Sequence, residues 1–114
     1  MTQEQQGAGR IAAAEPVRLA DLVEYGAGSV VSRTIAKSPA GTLTVFAFDQ
    51  GEGLSEHTAP FDAYVEVLDG VAELTIGGTP VTAKVGETVL MPAGIPHALH
   101  AVSRFKMLLI LIRG

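Results

Sequence analysis

From Ser29 to Ile112, short runs of β-branched and aromatic residues alternate with breaks rich in Gly and Pro, a pattern that predicts an antiparallel all-β domain. Strands are expected near 29–37, 42–49, 55–59, 63–69, 71–76, 81–84, 88–91, 97–102 and 105–112. The breaks between them include Ser38-Pro39-Ala40-Gly41, Gly51-Glu52-Gly53, Asp69-Gly70, Gly77-Gly78 and Ala93-Gly94. Asp-Gly and Gly-Gly supply the positive φ angles of tight hairpin turns. Strand 63–69 is therefore expected to pair with 71–76, and 71–76 with 81–84. Strands this short and this numerous imply a sandwich or a closed barrel.

Ahead of the strands, Leu19, Leu22 and Val23 sit at helical spacing and Gly26 and Gly28 stop the pattern, which predicts one or two turns of helix. Residues 1–16 have no sustained apolar face and are expected to form a flexible tail, leaving 17–114 as a single domain. Two strands carry apolar residues on both faces. Leu43 and Val45 lie on one side of their strand, with Phe46 and Phe48 on the other, and the run Phe105 to Ile112 repeats the doubling. A small sandwich buries only its inner faces, so a second apolar face needs its own cover. The N-terminal helical turns could supply it, or a second copy packing sheet against sheet; one short helix covers little area, which favours a homodimer.

Composition narrows the function. The 114 residues are 47% hydrophobic and 18% charged, too apolar for a disordered chain and the right size for one core. With no cysteine, thiolate metal sites, disulfides and cysteine nucleophiles are excluded, and any metal must be held by His, Asp or Glu. The net charge of −4, without a dense Lys/Arg stretch, argues against nucleic acid. The longest apolar run, Met107 to Ile112, is far short of the roughly 20 residues of a membrane-spanning helix. The opening MTQEQQGAGR also lacks the pattern of an export signal, so a cytoplasmic protein is expected.

His57 and His97, two of the three histidines, fall in unusually punctuated segments. The second segment presents Gly86, Pro92, Gly94 and His97 in the spacing G-x5-P-x-G-x2-H-x3-N, with Ala101 in the last position. The first presents Gly51, His57 and Gly70 in the frame G-x5-H-x-H-x3-4-E-x6-G, with Ala59 at the second His and Ala63 or Tyr64 at the Glu. In these two motifs, and in the strand rhythm from Ser29 to Ile112, the chain resembles the cupin superfamily. The resemblance implies a double-stranded β-helix, or jelly-roll barrel, with the active or binding site at its mouth, commonly assembled as a dimer. It also implies a metal site in which only two of four ligand positions, His57 and His97, are filled here.

Period two places His57, Ala59 and Phe61 on one strand face, and His97, Leu99 and Ala101 on another, while His100 points the other way. A first-row divalent metal such as Zn, Ni, Mn or Fe competes with water best through three protein ligands. Asp62 is the candidate third ligand; Glu56 points away from His57, and a phenol from Tyr64 would be unusual. Ala59, Phe61, Tyr64, Met91, Leu99 and Met107 are candidate lining of a pocket, core packing being the plainer role for the larger of them. Three functions fit these residues. One is a metal-assisted enzyme of dioxygenase, isomerase or decarboxylase type acting on a small organic molecule. The second is a metal-free barrel binding a small organic acid or phenol through His57, His97 and Tyr64. The third, metal-free epimerisation, would pair His57 or His97 with Tyr64 and lacks the inward cations that a sugar nucleotide would need.

Overall fold

A computed structural model describes residues 9–113, so residues 1–8 of the expected N-terminal tail lie outside the described residues. The described residues form nine strands: β1 (Val30–Ser38), β2 (Gly41–Phe48), β3 (Gly53–His57), β4 (Asp62–Asp69), β5 (Val71–Ile76), β6 (Thr79–Lys84), β7 (Thr88–Met91), β8 (His97–His100) and β9 (Phe105–Ile112). They make two antiparallel sheets, ordered β1-β2-β9-β4-β7 and β3-β8-β5-β6, which face each other as a jelly roll. At the expected helical position, Leu19–Leu22 form a 3-10 turn rather than a regular helix. The turn stops after four residues because Val23 is already extended, with φ −134° and ψ 150°.

Inward-facing side chains of both sheets form one core. Phe48 and Phe105 stack at 4.7 Å between centroids, and Ala63, Val65 and Val67 of β4 meet Ala72 and Leu74 of β5. The odd positions of β9 face this core, from Phe105 to Leu111, as period two requires. Its even positions face outward, where Leu108 and Ile110 join Val45, Ala47 and Ile35 in a second cluster. The N-terminal segment covers that cluster with Ile11, Leu19, Leu22, Val23 and Tyr25. The doubly apolar strands thus have both faces packed within one chain.

Polar contacts hold the cover in place. The Tyr25 hydroxyl donates to Asp69 at 2.5 Å, Lys106 Nζ donates to the Ala20 carbonyl at 2.6 Å, and the Arg104 guanidinium lies over the Tyr25 ring at 4.6 Å. Farther up the segment, Arg33 donates to the carbonyls of Gly9 and Arg10. Burial, joined by the bond to Asp69, pushes the Tyr25 hydroxyl well above the ordinary phenol range, so it stays a donor.

The Gly77-Gly78 hairpin pairs β5 with β6 as expected, but Asp69-Gly70 does not pair β4 with β5. β4 belongs to the five-stranded sheet and β5 to the four-stranded one, so Asp69-Gly70 is a corner at which the chain changes sheets. Gly70 has φ +72°, and a Cβ there would collide with the Arg104 carbonyl. The same residues that make a tight hairpin also make a tight corner, and the core decides between them.

Gly53 has a similar restriction that bears on the site. Paired with His100, it brings β3 so close to β8 that a Cβ would clash with the Leu99 carbonyl. A Gly53→Ala variant is expected to lose about 1–3 kcal/mol, the usual range for overpacking. A urea midpoint equal to that of the parent chain would show that β3 moves aside freely.

Candidate functional site

At one end of the barrel the loops β3–β4 and β7–β8 meet. The Gly94 N–H donates to the Ala59 carbonyl at 2.8 Å, and the Ala93 N–H donates to Asp62 Oδ1 at 2.9 Å. These two bonds clamp the loops together around a cavity of about 140 Å³. His57 and His97 form its polar corner. The rest of the wall is Leu54, Ala59, Phe61, Ala63, Met91, Leu99, Met107, Leu109 and Leu111.

The two histidines sit opposite each other across the β3–β8 pair. Their Nε2 atoms are 3.1 Å apart and the rings meet edge to face, with centroids 4.4 Å apart. Each Nδ1–H donates to the carbonyl two residues earlier, His57 to Ser55 at 2.8 Å and His97 to Ile95 at 3.1 Å. Those bonds fix ring orientation and commit the Nδ1 side, so Nε2 is the atom each ring offers. His97 is only 3% exposed, while His57 stands at the exposed rim. Burial is the main cause that holds His97 below the usual imidazole range; the Ile95 carbonyl opposes it, and the neighbouring His57 adds to it.

Other expected residues fall elsewhere. Tyr64 shares a face of β4 with Glu66 and Leu68 that points away from the core, so it contributes no phenol to the cavity. β4 begins at Asp62, and alternation from the inward Ala63 places Tyr64 outside. Asp62 is exposed and its Oδ1 is occupied by the Ala93 N–H, a turn-locking role in place of the expected third ligand. Glu56 and His100 are exposed, as alternation predicts. Ala59, Phe61, Met91, Leu99 and Met107 all line the cavity, although β3 ends at His57 and leaves the first two in the loop.

Leu54, Leu109 and Leu111 were not among the expected lining residues. For the last two the signal is simple alternation from Met107. Leu54 depends on an irregularity: it pairs with Leu99 while His57 pairs with His97, so β3 spends one residue more than β8 between those rungs. That bulge turns Leu54 and His57, three apart, toward the same cavity.

The resemblance implies a metal, and the donor set tests it. A separation of 3.1 Å suits two neighbouring positions around a cation held at about 2.1 Å. The remaining wall offers only carbon and the thioethers of Met91 and Met107, with Ala59 and Ala63 in it. Among the described residues, no group of three or more His, Asp or Glu is placed to hold an ion. A resident metal centre with three protein ligands therefore does not fit.

The buried imidazole makes stability depend on pH. A depressed folded pKa means that the unfolded chain gains a proton first as pH falls below about 6.5, so stability declines from there toward the depressed value. The limiting slope for one proton is about 1.4 kcal/mol per pH unit. Urea midpoints between pH 7.5 and 5 should fall in the parent chain and flatten in His97→Gln; parallel curves would refute the assignment. Asp49, held below the usual carboxylate range by the Gly28 N–H and Arg104, acts in a separate window below pH 4.

Comparison with known proteins gives the lineage. A conserved protein of unknown function from Streptococcus pyogenes has 38% identity, covers 92% of both chains and superposes with a TM-score of 0.87. A cupin superfamily protein from Desulfitobacterium hafniense has 28% identity over 92% of this chain and 96% of its own, with a TM-score of 0.86. A Cupin 2 conserved barrel domain protein from Leptotrichia buccalis has 44% identity over 82% of this chain, with a TM-score of 0.80, and the match spans 46% of that longer chain. No functionally curated protein matches. The sequence model of the cupin domain matches residues 44–112, which contain both motifs and all the cavity-lining residues, and the chain therefore belongs to the cupin superfamily.

Proposed function

We propose that this cupin is a small-molecule-binding barrel. Its ligand is a compact apolar body of about the size of a benzene ring, with one polar group, a carboxylic acid or a phenol hydroxyl, set against His57 and His97. The observation that carries the reading is the division of the cavity wall: two Nε2 atoms at one corner of 140 Å³ otherwise lined by carbon and two thioethers. An apolar cavity of about 150 Å³ is large enough to hold benzene and excludes water when empty. Ligand pockets combine such a wall with few polar groups that fix orientation.

The donor set weighs against a metal-assisted dioxygenase, isomerase or decarboxylase, since each would need the missing ligands. An epimerase-like acid–base pair is not assembled either, because Tyr64 faces away from the histidines. The likeness to a solved lyase at 23% identity and a solved dioxygenase at 12% shows the fold alone.

Thermal and calorimetric titration with benzoic acid and phenol tests the reading. At 100 times its Kd, a ligand that prefers the folded state adds about 2.7 kcal/mol of stability. Ala63→Leu, which fills the cavity from the β4 wall, should abolish the shift for both compounds. No shift with either, or an undiminished shift in Ala63→Leu, would overturn it. Metal content gives an independent check: after incubation with Zn, Ni, Mn or Fe and removal of the excess, the chain should retain well under one ion. About one ion per chain, lost in His57→Ala, would instead support the metal-assisted enzyme.

A further inference from the structure

The inward ladder of β9 does not end at the cavity wall. Phe105, Met107, Leu109 and Leu111 take successive odd positions facing the four-stranded sheet, and Arg113 is the next in the series. Two observations hold it in that alternation. Its N–H donates to the Ala40 carbonyl at 2.7 Å, which continues the bonding of β9 to β2 past Ile112. Ile112 is paired with Asp62, so the next rung sets Arg113 across from Phe61, and its guanidinium carbon lies 5.1 Å from the centre of the Phe61 ring. Phe61 lines the cavity. A cation therefore stands about 7 Å along the strand from Leu111, at the mouth of the chamber. The wall inside that mouth contains no Asp, Glu, Lys or Arg.

The chain gives this guanidinium no anion of its own. Among the described residues the ion pairs are Arg18 with Asp21 and Arg104 with Asp49. Asp62 alternates outward from Ala63 and has Oδ1 engaged by the Ala93 N–H, while Glu56 is exposed and alternates away from His57. The Phe61 ring attracts the charge through its face, yet it offers no acceptor comparable to a carboxylate oxygen. Arg113 is also half-buried, so an anion that reaches it is screened less than one in a fully exposed pair.

We propose that Arg113 is a second anchor for the ligand, and that the ligand is a hydroxy acid, a compact apolar body with a hydroxyl at one end and a carboxylate at the other. This rests on the ligand-binding reading and adds a group to it. The two anchors differ in kind. With each Nδ1–H given to a backbone carbonyl, the Nε2 atoms accept, so the histidine corner takes an O–H. A guanidinium only donates, so the mouth takes an acceptor, and a carboxylate matches its fork with two parallel bonds.

The anchors also come from opposite sheets. His57 and His97 stand on β3 and β8 of the four-stranded sheet, whereas Arg113 follows β9 of the five-stranded one. Facing sheets lie about 10 Å apart, so the two polar groups belong on opposite sides of the ligand, as in a para-substituted ring. The ring occupies the chamber, and the carboxylate sits outside its 140 Å³.

Calorimetry on the full chain at pH 7.5 tests this with 4-hydroxybenzoate, its neutral counterpart 4-hydroxybenzamide, and phenol. At that pH the first is ionised at its carboxyl group alone. It should bind at least about tenfold tighter than the amide, in keeping with a hydrogen bond to a charged group. The gap should narrow as salt is added. In Arg113→Gln the acid and the amide should bind alike, with phenol and the amide keeping the affinities they have for the parent chain. Arg113→Lys, which keeps the charge without the fork, should retain part of the gap, a recovery that disturbance of the strand end alone would not give. Equal affinity of acid and amide for the parent chain, or a gap that survives in Arg113→Gln, overturns the second anchor, and binding of phenol then leaves the ligand-binding reading standing. Absence of binding by all three compounds overturns that reading and this inference with it.

Discussion

Burial of both faces of β9 is the constraint on which the rest of the molecule depends. The strand lies at the middle of the five-stranded sheet, between β2 and β4. Its odd positions need the four-stranded sheet and its even positions need the N-terminal segment. Phe105, Met107 and Leu108 are almost wholly removed from water, at about 1.5–3 kcal/mol for each such side chain. Packing only one face would leave an apolar stripe in solvent. The segment before β1 is therefore part of the fold, and Tyr25, Lys106 and Arg104 give its backbone and ring their polar partners.

The same strand links core to cavity. Phe105 fills the space between the sheets completely, whereas Leu109 and Leu111, toward its other end, are only partly buried and face open volume. Ala63 opposite Leu111 on β4 leaves that volume unfilled. The hydrogen bonds from Gly94 to Ala59 and from Ala93 to Asp62 then tie the two loops together beside it. Asp62 stands next to the place where the cupin motif carries a ligand, and here its carboxylate serves the backbone instead.

Alternation made most of the architecture legible. The β-branched runs between Gly and Pro breaks placed all nine strands to within a few residues. The outward even positions of β9 and the opposite faces of β2 also followed directly from period two. Failures came where local chemistry allows two outcomes. Asp-Gly suits a hairpin and a corner equally, and only the destination of β5 decides. Leu19, Leu22 and Val23 had helical spacing, but a single turn was enough to deliver them to the sheet. Leu54 was hidden by a bulge, which strict alternation does not show. Tyr64 differs: alternation from Ala63 already placed it outside, and only the motif frame drew it toward the site.

His57 and His97 were legible as a pair, but their relation was not. Spacing in sequence places both at one end of the barrel; the backbone carbonyls of Ser55 and Ile95 determine which nitrogen each presents. That detail changes the chemistry available. With four ligands, the two Nε2 atoms would be two corners of a cation's shell. With Ala59 and Ala63 in the wall, the missing donors become free volume, and the two Nε2 atoms remain as the polar corner of an apolar chamber. Alanine at ligand positions of the cupin frame thus has two physical effects at once: it takes away donors that a cation would need, and it opens apolar volume beside the two imidazole nitrogens.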